Sequence, residues 1–391
     1  MTQFASSNRT GLRFIEEVTF GVTPTSPALQ ELRYTGESLN FNLANTTSNE
    51  IRADRMTGDL VQTSADVSGD VQVEISFGTY DEIMEGALGS AGWSTSSTLT
   101  GTDVTVDYPT NTYTSASAIS FNGSVVVGQW IKVSGFTDPA NNGYKMVTAV
   151  SLHSITVAQT LVDEAPGDSA VFKTSAYIKN GTTYKSYTLQ KYLADATTPT
   201  YFNFRGCRIG SFNMSFATAA ILTGSFSVMG LSAEGTTSAI SGQSVVATTS
   251  TDVMNAVGNV KDVWFDGLPS TAEFNNLSVD VNAGLRAQQA VGTLGNVGIA
   301  LGRFAITGSM SLYFPDLTMY DKYLNATAFS LAFSVEDGAG NAYIITLPRL
   351  KFSSGSVVSG GLDQDVMLET NFEAIRHAAT DSEIRIDRFA A

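Results

Sequence analysis

The sequence has few of the residues that enzymes and metalloproteins use for chemistry. Its 391 residues include one cysteine and two histidines, His153 and His377. A single cysteine excludes a disulfide framework and any metal site built from cysteines. Two isolated histidines leave little for acid–base catalysis or metal binding. Since no nucleophile–base pair or carboxylate cluster stands out, we expect no catalytic residue, no metal and no cofactor, and a protein that is not an enzyme.

Charge is also scarce, and most of it is negative. Charged residues make up 15% of the chain, and 22 Lys and Arg against 37 Asp and Glu give a net charge of −15. A protein that grips nucleic acid needs cations to displace the counterions of the phosphates, so this balance argues against such binding. No uncharged apolar run approaches the roughly eighteen residues of a membrane-spanning helix, and the N-terminus lacks the order of a signal peptide. We expect synthesis in the cytoplasm and no membrane partner.

The main pattern that is present is the alternation of apolar and polar residues. This period of two indicates β-strands with one buried face, and it occurs at residues 39–43, 71–75, 212–216, 277–281 and 310–314. Ser, Thr and Asn occupy many outer positions where a free monomer would carry Lys and Glu. With only nine prolines in the chain, the strand edges also have little protection against pairing with other chains. The pattern favours a mainly β protein that packs against copies of itself.

An internal repeat is indicated by the order and spacing of strands and helices. Thr79 to Glu82 matches a helix capping box closed by Gly89, and Thr318 to Asp321 offers a similar start 239 residues later. At the same offset Gly69 falls on Gly308 and Val71 on Met310, while Leu39 is aligned with Leu277. Arg208-Ile209 and Arg349-Leu350 are also similar. We interpret this as a duplication in which the first copy carries about 98 extra residues.

A family resemblance begins at residues 8–24, NRTGLRFIEEVTFGVTP. This stretch resembles the opening of the major tail tube proteins of long-tailed, siphovirus-like bacteriophages. Similar segments lie at residues 32–39, 50–55, 204–209 and 222–230 of the first copy and at 302–308 and 347–349 of the second. The likeness covers both copies and omits the extra residues, and each segment is a strand-and-turn pattern rather than a chemical signature.

The resemblance implies two tandem tube-type β-sandwich or barrel domains, each with a short helix. The first is expected to be split, spanning residues 1–89 and 179–231, and the second to span 259–391 with a C-terminal arm. Between the two parts of the first domain, residues 90–178 are read as a small inserted β-domain, since short strands alternate there with turn residues. Residues 232–258, rich in Ser, Thr, Gly and Ala, are read as an extended linker.

The resemblance also implies a function. It describes a structural virion protein of the phage tail that assembles into stacked rings around a conduit for DNA ejection. The expected partners are other copies of the chain in trimeric, pseudo-hexameric rings, then the tape measure, tail tip and terminator proteins. Phage DNA would pass through without specific binding, and a negative wall would let it slide. The alternative is a β-rich binding module whose inserted domain binds a host surface or another tail protein.

Few individual residues are candidates for a functional site. The long polar loop after residue 44 carries mixed charges, Glu50, Arg52, Asp54, Arg55 and Asp59, which form a candidate inter-ring contact or a simple solvated loop. Cys207 is expected to be a buried thiol rather than a reactive one. Asp363 and Asp365 lack the remaining ligands of a calcium loop, so a solvated turn is expected. Trp130 is expected in the core of the inserted domain, with a surface that contacts other proteins as the alternative.

Overall fold

The computed structural model describes residues 4–270 and 272–391, and strands far outnumber helices in it. The alternating sequence explains this, because apolar side chains two residues apart cover one face of a sheet. The chain begins with a short 3₁₀ turn, five strands and a helix. These are β1 (Thr10–Glu16), β2 (Ala28–Leu32), β3 (Gly36–Glu37), β4 (Asn40–Thr47), β5 (Leu60–Glu74) and α1 (Asp81–Leu88).

The next seven strands form a sheet of their own. They are β6 (Thr98–Gly101), β7 (Val104–Asp107), β8 (Thr112–Ser115), β9 (Trp130–Ser134), β10 (Gly143–Val150), β11 (Ser154–Val157) and β12 (Ala170–Thr174). A separate apolar cluster that includes Tyr113, Phe121 and Phe172 fills this part of the chain. Its entry and exit are adjacent, since the Thr174 N–H donates to the Ser97 carbonyl at 2.8 Å.

The remaining strands complete the larger sheet, apart from one short hairpin. The first group is β13 (Ala176–Lys179), β14 (Tyr187–Leu193), β15 (Thr200–Ala217), β16 (Thr223–Gly230), β17 (Ser232–Thr236) and β18 (Ser244–Val246). The second is β19 (Val260–Phe265), β20 (Leu268–Pro269), β21 (Phe274–Asn282), β22 (Arg286–Gln289), β23 (Asn296–Ala300), β24 (Ala305–Tyr313), α2 (Thr318–Leu324), β25 (Phe329–Glu336), β26 (Ala342–Ser359), β27 (Val366–Ala374) and β28 (Arg385–Phe389).

Two strands of 18 residues, β15 and β26, organise the larger sheet. The first half of β15 pairs with β14 and β17, and its second half pairs with β16 and β21. The first half of β26 pairs with β25 and β28, and its second half pairs with β27. The second halves thereby join eight antiparallel strands in the order β4-β5-β16-β15-β21-β24-β27-β26. This array does not close into a barrel.

Both helices lie where the sequence predicts them, but the predicted capping box does not form. The first helix begins at Asp81, and its N-cap residue, Tyr80, makes no side-chain capping bond. The Thr79 hydroxyl instead bonds to the Ser76 hydroxyl at 2.6 Å, and both side chains are buried. The predicted stop at Gly89 is confirmed, with a left-handed φ of 58° that suits glycine.

The stretch expected to be an extended linker, residues 232–258, partly belongs to the larger sheet. It contains β17, paired with β15, and β18, which runs parallel to β2. At the other predicted boundary, residue 178 falls inside β13, which pairs with β28. These stretches have a turn-rich composition, which does not predict strands. Their strands form because they pair with strands that are distant in sequence.

Trp130 does not lie in the core of the seven-stranded sheet. Alternation along β9 turns Ile131 and Val133 into that core, while Trp130 faces the other way. Its ring lies 4.4 Å from that of Trp264, and its indole N–H donates to the Thr346 hydroxyl at 2.9 Å. Trp130 therefore joins the seven-stranded sheet to β19 and β26.

This arrangement predicts that the seven-stranded sheet is removable. Replacing residues 98–173 by a short glycine-rich linker should leave the remainder folded, because the two ends already meet. The melting temperature should fall, since Trp264 and Phe389 lose cover, and each exposed large apolar side chain costs ~1.5–3 kcal/mol. Circular dichroism and a thermal melt measure both effects. A variant without a cooperative transition would contradict the prediction.

Candidate functional site

The pairing of β15 with β21 forms a seam in the middle of the eight-stranded array. Phe212 lies opposite Val281, and the register continues without a shift from Ser211–Asn282 to Ala217–Asn276. At the end of β21, the Ala283 N–H donates to the Gly210 carbonyl at 2.9 Å. Phe212, Val281 and Ala283 are all buried. The seam is thus held by main-chain hydrogen bonds on an apolar base.

A buried arginine fastens a hairpin across this seam. We call residues 283–304, which contain β22 and β23, the second hairpin. The Arg208 guanidinium donates to the Ile299 carbonyl at 2.7 Å and lies 4.5 Å from the ring centres of both Phe20 and Tyr184. Burial lowers the pKa of Arg208 from its usual value, but the pairing of the cation with a carbonyl and two aromatic faces offsets this cost.

The second hairpin makes two further contacts on the far side of the seam. The Ala65 N–H of β5 donates to the Leu294 carbonyl at 2.7 Å. The Asn296 side-chain amide donates to the Gly230 carbonyl at 3.4 Å. The hairpin therefore folds back over β5 and β16 and covers the joint between β15 and β21.

The eight-stranded array has two open edges, each unpaired within the described residues. One edge is β4, which pairs only with β5, and the other is the second half of β26, which pairs only with β27. Apolar side chains are left uncovered at the first edge, where Leu43 is 44% exposed. Such edges are templates for another strand, and proteins that stay monomeric blunt them with charges, prolines or bulges.

One face of the array is mainly polar. Because Val71, Val73, Phe226 and Met310 alternate into the core, their neighbours point to the opposite face. Hydroxyl and amide side chains dominate there. Across the described strands this face carries two cations, Lys351 and the covered Arg208, and six carboxylates: Asp66, Asp70, Glu74, Asp280, Glu369 and Glu373. Partial burial raises the pKa of Asp280.

The charged residues predicted as a contact loop all lie at the tip of the β4–β5 hairpin. The structure brings Arg52 and Asp54 together, with N–O distances of 3.1 and 2.6 Å, and places Glu50 at 4.0 Å from Arg52. The Arg52 guanidinium lowers the pKa of Asp54. Arg55 adopts a φ of 60°, while the Asp59 carboxylate accepts from the Leu60 N–H. All five are exposed to solvent.

The other candidate residues are buried, hydrogen-bonded to neighbouring groups or part of an exposed turn. Cys207 is a free, fully buried thiol whose pKa is raised by burial, as expected for an unreactive cysteine. His153 bonds to the Ile119 carbonyl and His377 to the Thr380 hydroxyl, and the turn around Asp363 is exposed. Within residues 4–270 and 272–391, no cluster of three or more His, Cys, Asp or Glu is arranged for a metal.

A membrane-spanning helix is likewise not found in the described part of the chain, where no helix is long and apolar enough to cross a bilayer. Comparison with known families gives a positive result. A family model described as phage tail tube protein matches residues 7–374, nearly the whole chain. The chain belongs to the phage tail tube protein family. No curated protein matches it.

Membership in this family gives the tail tube protein a structural role in the tail and a place in the virion. It implies association with copies of the same chain and with other tail components, and it suggests a non-enzymatic protein. The resemblance found from sequence segments is confirmed at this level. The matched range also runs through the seven-stranded sheet, which the sequence resemblance omitted.

The seam and the two strands that form the open edges cannot be identified from the sequence. The similarity of Arg208-Ile209 to Arg349-Leu350 is visible in the sequence, but the burial of one arginine in a joint and the exposure of the other are not. The registers also show that the two motifs are offset by two residues, because Arg208 corresponds to Lys351. Strand pairing, which sequence alone does not specify, was needed to recognise it.

Proposed function

We propose that this tail tube protein builds closed rings by adding β4 of one chain to the free edge of β26 in the next. The rings then stack into a hollow tube that conducts DNA during ejection. The observation that carries the proposal is the seam between β15 and β21. One chain already contains a joint of this kind, between β15 and β21. In the proposed correspondence β26 is the counterpart of β15 and β4 is the counterpart of β21, and these two strands are the open edges.

The correspondence rests on strand pairing and treats the chain as two tandem tube domains. In each half a helix and a long strand occur in the same order, and β4, β5, β16 and β15 correspond to β21, β24, β27 and β26. The registers refine the sequence alignment. Phe41 lies opposite Val67 and Val281 lies opposite Ile306. Val67 and Ile306 correspond at the offset of 239, so Phe41 corresponds to Val281. The alignment of Leu39 with Leu277 is therefore shifted by two residues.

This correspondence supplies a specific register for the joint between chains. Phe212 corresponds to Gly355, because both are reached through the same pairings, by way of Phe226 and Val71 in the first half and of Thr370 and Met310 in the second. Phe212 opposite Val281 therefore becomes Gly355 of one chain opposite Phe41 of the next. Leu43 corresponds to Ala283, whose N–H bonds to β15 across the seam. We therefore expect the Leu43 N–H to donate to the main chain of β26 at Ser353, which corresponds to Gly210 because each is the bulged residue of its strand. The exposure of Leu43 fits a residue that is covered only in the ring, because Ala283 is 1% exposed and Leu43 is 44% exposed.

The two helices support the same assignment. α1 lies beside the internal seam and contacts β21, and seven of its eight residues are buried. α2 lies near the open edge of β26, and none of its residues is buried. Leu317 and Leu324, at either end of α2, are more than half exposed. A neighbouring β4 would cover α2 as β21 covers α1.

Ring closure with two tube folds per chain leads to three chains per ring. Head-to-tail interfaces form a closed ring only when the rotation per unit divides a full turn. The related single-fold tubes close with six folds, so three chains of two folds give pseudo-sixfold symmetry. The polar face then lines the tube. Its carboxylates repel DNA phosphates, which carry about one negative charge per 1.7 Å of axis, so that DNA slides without sticking.

The charged tip of the β4–β5 hairpin is proposed to contact the adjacent ring. Glu50, Arg52, Asp54, Arg55 and Asp59 project from the array at its edge, and mixed-sign charges suit a surface that meets a similar one. Tail tip, terminator and tape measure proteins would be the further partners at the ends and interior of the tube.

Negative-stain microscopy of the purified protein tests the proposal. We expect hollow tubes of stacked rings, at high concentration or after addition of a tail-tip initiator. A preparation that remains monomeric under both conditions would contradict it. Ionic strength provides a useful control, because a joint made of main-chain hydrogen bonds and apolar contacts should persist in high salt, which screens exposed charges.

A further inference from the structure

We propose that Phe4 of one chain inserts between the ends of β24 and β27 in the neighbouring chain of the same ring. The inference rests on the proposed ring and adds a second joint to it, beside the pairing of β4 with β26. It is carried by a gap between two strands that occurs in both halves of the chain. In the first half a residue of the chain itself fills the gap, and in the second half the gap is open.

The filled gap lies where β5 and β16 separate. The Ile75 N–H donates to the Leu222 carbonyl at 2.8 Å, but Met254 takes the place of the return bond between these two residues. The Met254 N–H donates to the Ile75 carbonyl and the Met254 carbonyl accepts from the Leu222 N–H, both at 2.9 Å. Met254 and Leu222 are fully buried. The segment that leads into β19 thus closes the end of the first tube domain.

The open gap lies where β24 and β27 separate. The Phe314 N–H donates to the Val366 carbonyl at 3.0 Å, and continuation of the strand registers makes these residues the counterparts of Ile75 and Leu222. Within the described residues no bond returns from the Val366 N–H to the Phe314 carbonyl. Val366 is 40% exposed, whereas Leu222 is buried. The main-chain groups that bind Met254 in the first half are therefore unpaired in the second.

The strands that begin the two tube domains lead to the counterpart of Met254. β1 pairs with β14 as β19 pairs with β25. Tyr187 of β14 lies opposite Cys207, as Phe329 of β25 lies opposite Leu350, and a register shift follows both pairs. β14 and β25 therefore correspond at an offset of 329 − 187 = 142.

This offset aligns the segments that precede β1 and β19. The Ala194 N–H donates to the Arg9 carbonyl at 3.1 Å, and 142 residues further along the chain the Glu336 N–H donates to the Asn259 carbonyl at 2.8 Å. Arg9 thus corresponds to Asn259, which lies 259 − 9 = 250 residues after it.

At the same spacing Phe4 corresponds to Met254. Phe4 is 85% exposed, whereas Met254 is fully buried, so the free chain leaves a large apolar side chain in water at this position. The Ser6 N–H donates to the Asp195 carboxylate at 3.1 Å, which fixes the segment at the start of β1. Burial of an exposed phenylalanine in an apolar gap is favourable.

The ring supplies the gap that Phe4 needs. Met254 precedes the second tube domain and closes the first, to which β21 of the second is joined. Phe4 precedes the first tube domain of its chain, and β4 of that domain joins β26 of the neighbour. We therefore expect the Phe4 N–H to donate to the Phe314 carbonyl of the neighbour, and the Phe4 carbonyl to accept from the Val366 N–H.

Cross-linking tests the joint directly. A chain with Phe4→Cys and Val366→Cys is assembled into tubes and treated with a short bismaleimide. We expect covalent species that end at a closed trimer, because each Phe4 reaches only the neighbour in its own ring. The two single variants are the controls, since the native Cys207 is buried.

The other outcomes separate this joint from the ring itself. Tubes that form normally but yield no cross-link above the single variants, or only links within one chain, would overturn the joint and leave the ring proposal standing. A ladder of products that continues past three chains would show that Phe4 does not bind within a trimeric ring, which also overturns the joint. Failure of the wild-type chain to form tubes would instead contradict the proposed function.

Two substitutions of Phe4 cover the case in which the cysteine chain does not assemble. Phe4→Ser should raise the concentration needed for tube formation about tenfold, as loss of one buried aromatic side chain predicts. Phe4→Met should change it by less than about threefold, because methionine fills the corresponding gap in the first half. Equal effects of the two substitutions, or no effect of Phe4→Ser, would contradict the insertion of Phe4. Circular dichroism checks that both monomers are folded.

Discussion

Leu43→Pro should abolish ring and tube formation while leaving the monomer folded. Just before β4, and in the same register, the Ser38 N–H donates to the Asp70 carbonyl. Since antiparallel bonds alternate in direction, the Leu43 N–H points away from β5, towards the open edge. Proline removes this donor and blocks the approach of another strand. Edge strands tolerate proline where the N–H faces solvent, so the β4–β5 hairpin should persist.

Leu43→Ser is the matched control. It removes the same apolar side chain but keeps the N–H, so it should weaken assembly without preventing it. Sedimentation of tubes and electron microscopy measure assembly, and the thermal melt of the monomer measures folding. Tubes formed by Leu43→Pro at the wild-type concentration would show that β4 is not an assembly edge.

Arg385→Met should produce the largest loss of monomer stability. Asp387 is fully buried and accepts from Arg385 at 3.0 Å, from the Ser175 hydroxyl at 2.5 Å and from the Trp130 N–H at 3.4 Å. Removing the arginine leaves a buried carboxylate without its counter-charge, which costs about 3–5 kcal/mol. Urea unfolding at neutral pH measures this loss.

The pH dependence identifies the cause of that loss. Burial already raises the pKa of Asp387, and loss of the cation should raise it further. Between the unfolded and the folded pKa the native state binds more protons, so stability falls as pH rises and recovers as pH falls through the raised pKa. Arg385→Met should therefore approach wild type in acid. The double variant Arg385→Met/Asp387→Leu should show no such recovery, whereas an equal loss at both pH values would indicate lost packing alone.

Much of the fold could be predicted from the sequence. Alternation located the strands around Val71, Phe212 and Met310, because one buried face imposes a period of two. Gly89 marked the end of α1, because glycine readily adopts the left-handed conformation needed there. The unusual lack of charge and of proline indicated strand edges that are open to other chains.

The long-range pairing could not be predicted in the same way. The local sequence of β15 does not predict that its second half lies beside β21, because a strand edge can pair with any compatible strand. Trp130 illustrates the same limit, because an apolar residue in a strand is compatible with either face of its sheet. The candidate site depends on such pairings, and the correspondence between the internal seam and the two open edges can be recognised only after they are known.

Cryo-electron microscopy of assembled tubes tests the central claim most directly. The expected map has three chains per ring, with β4 of each chain paired to β26 of the next and Phe41 opposite Gly355. The polar face with Asp280 and Glu369 should line the lumen. A ring of six chains, or a ring in which β4 and the second half of β26 remain unpaired, would contradict the account.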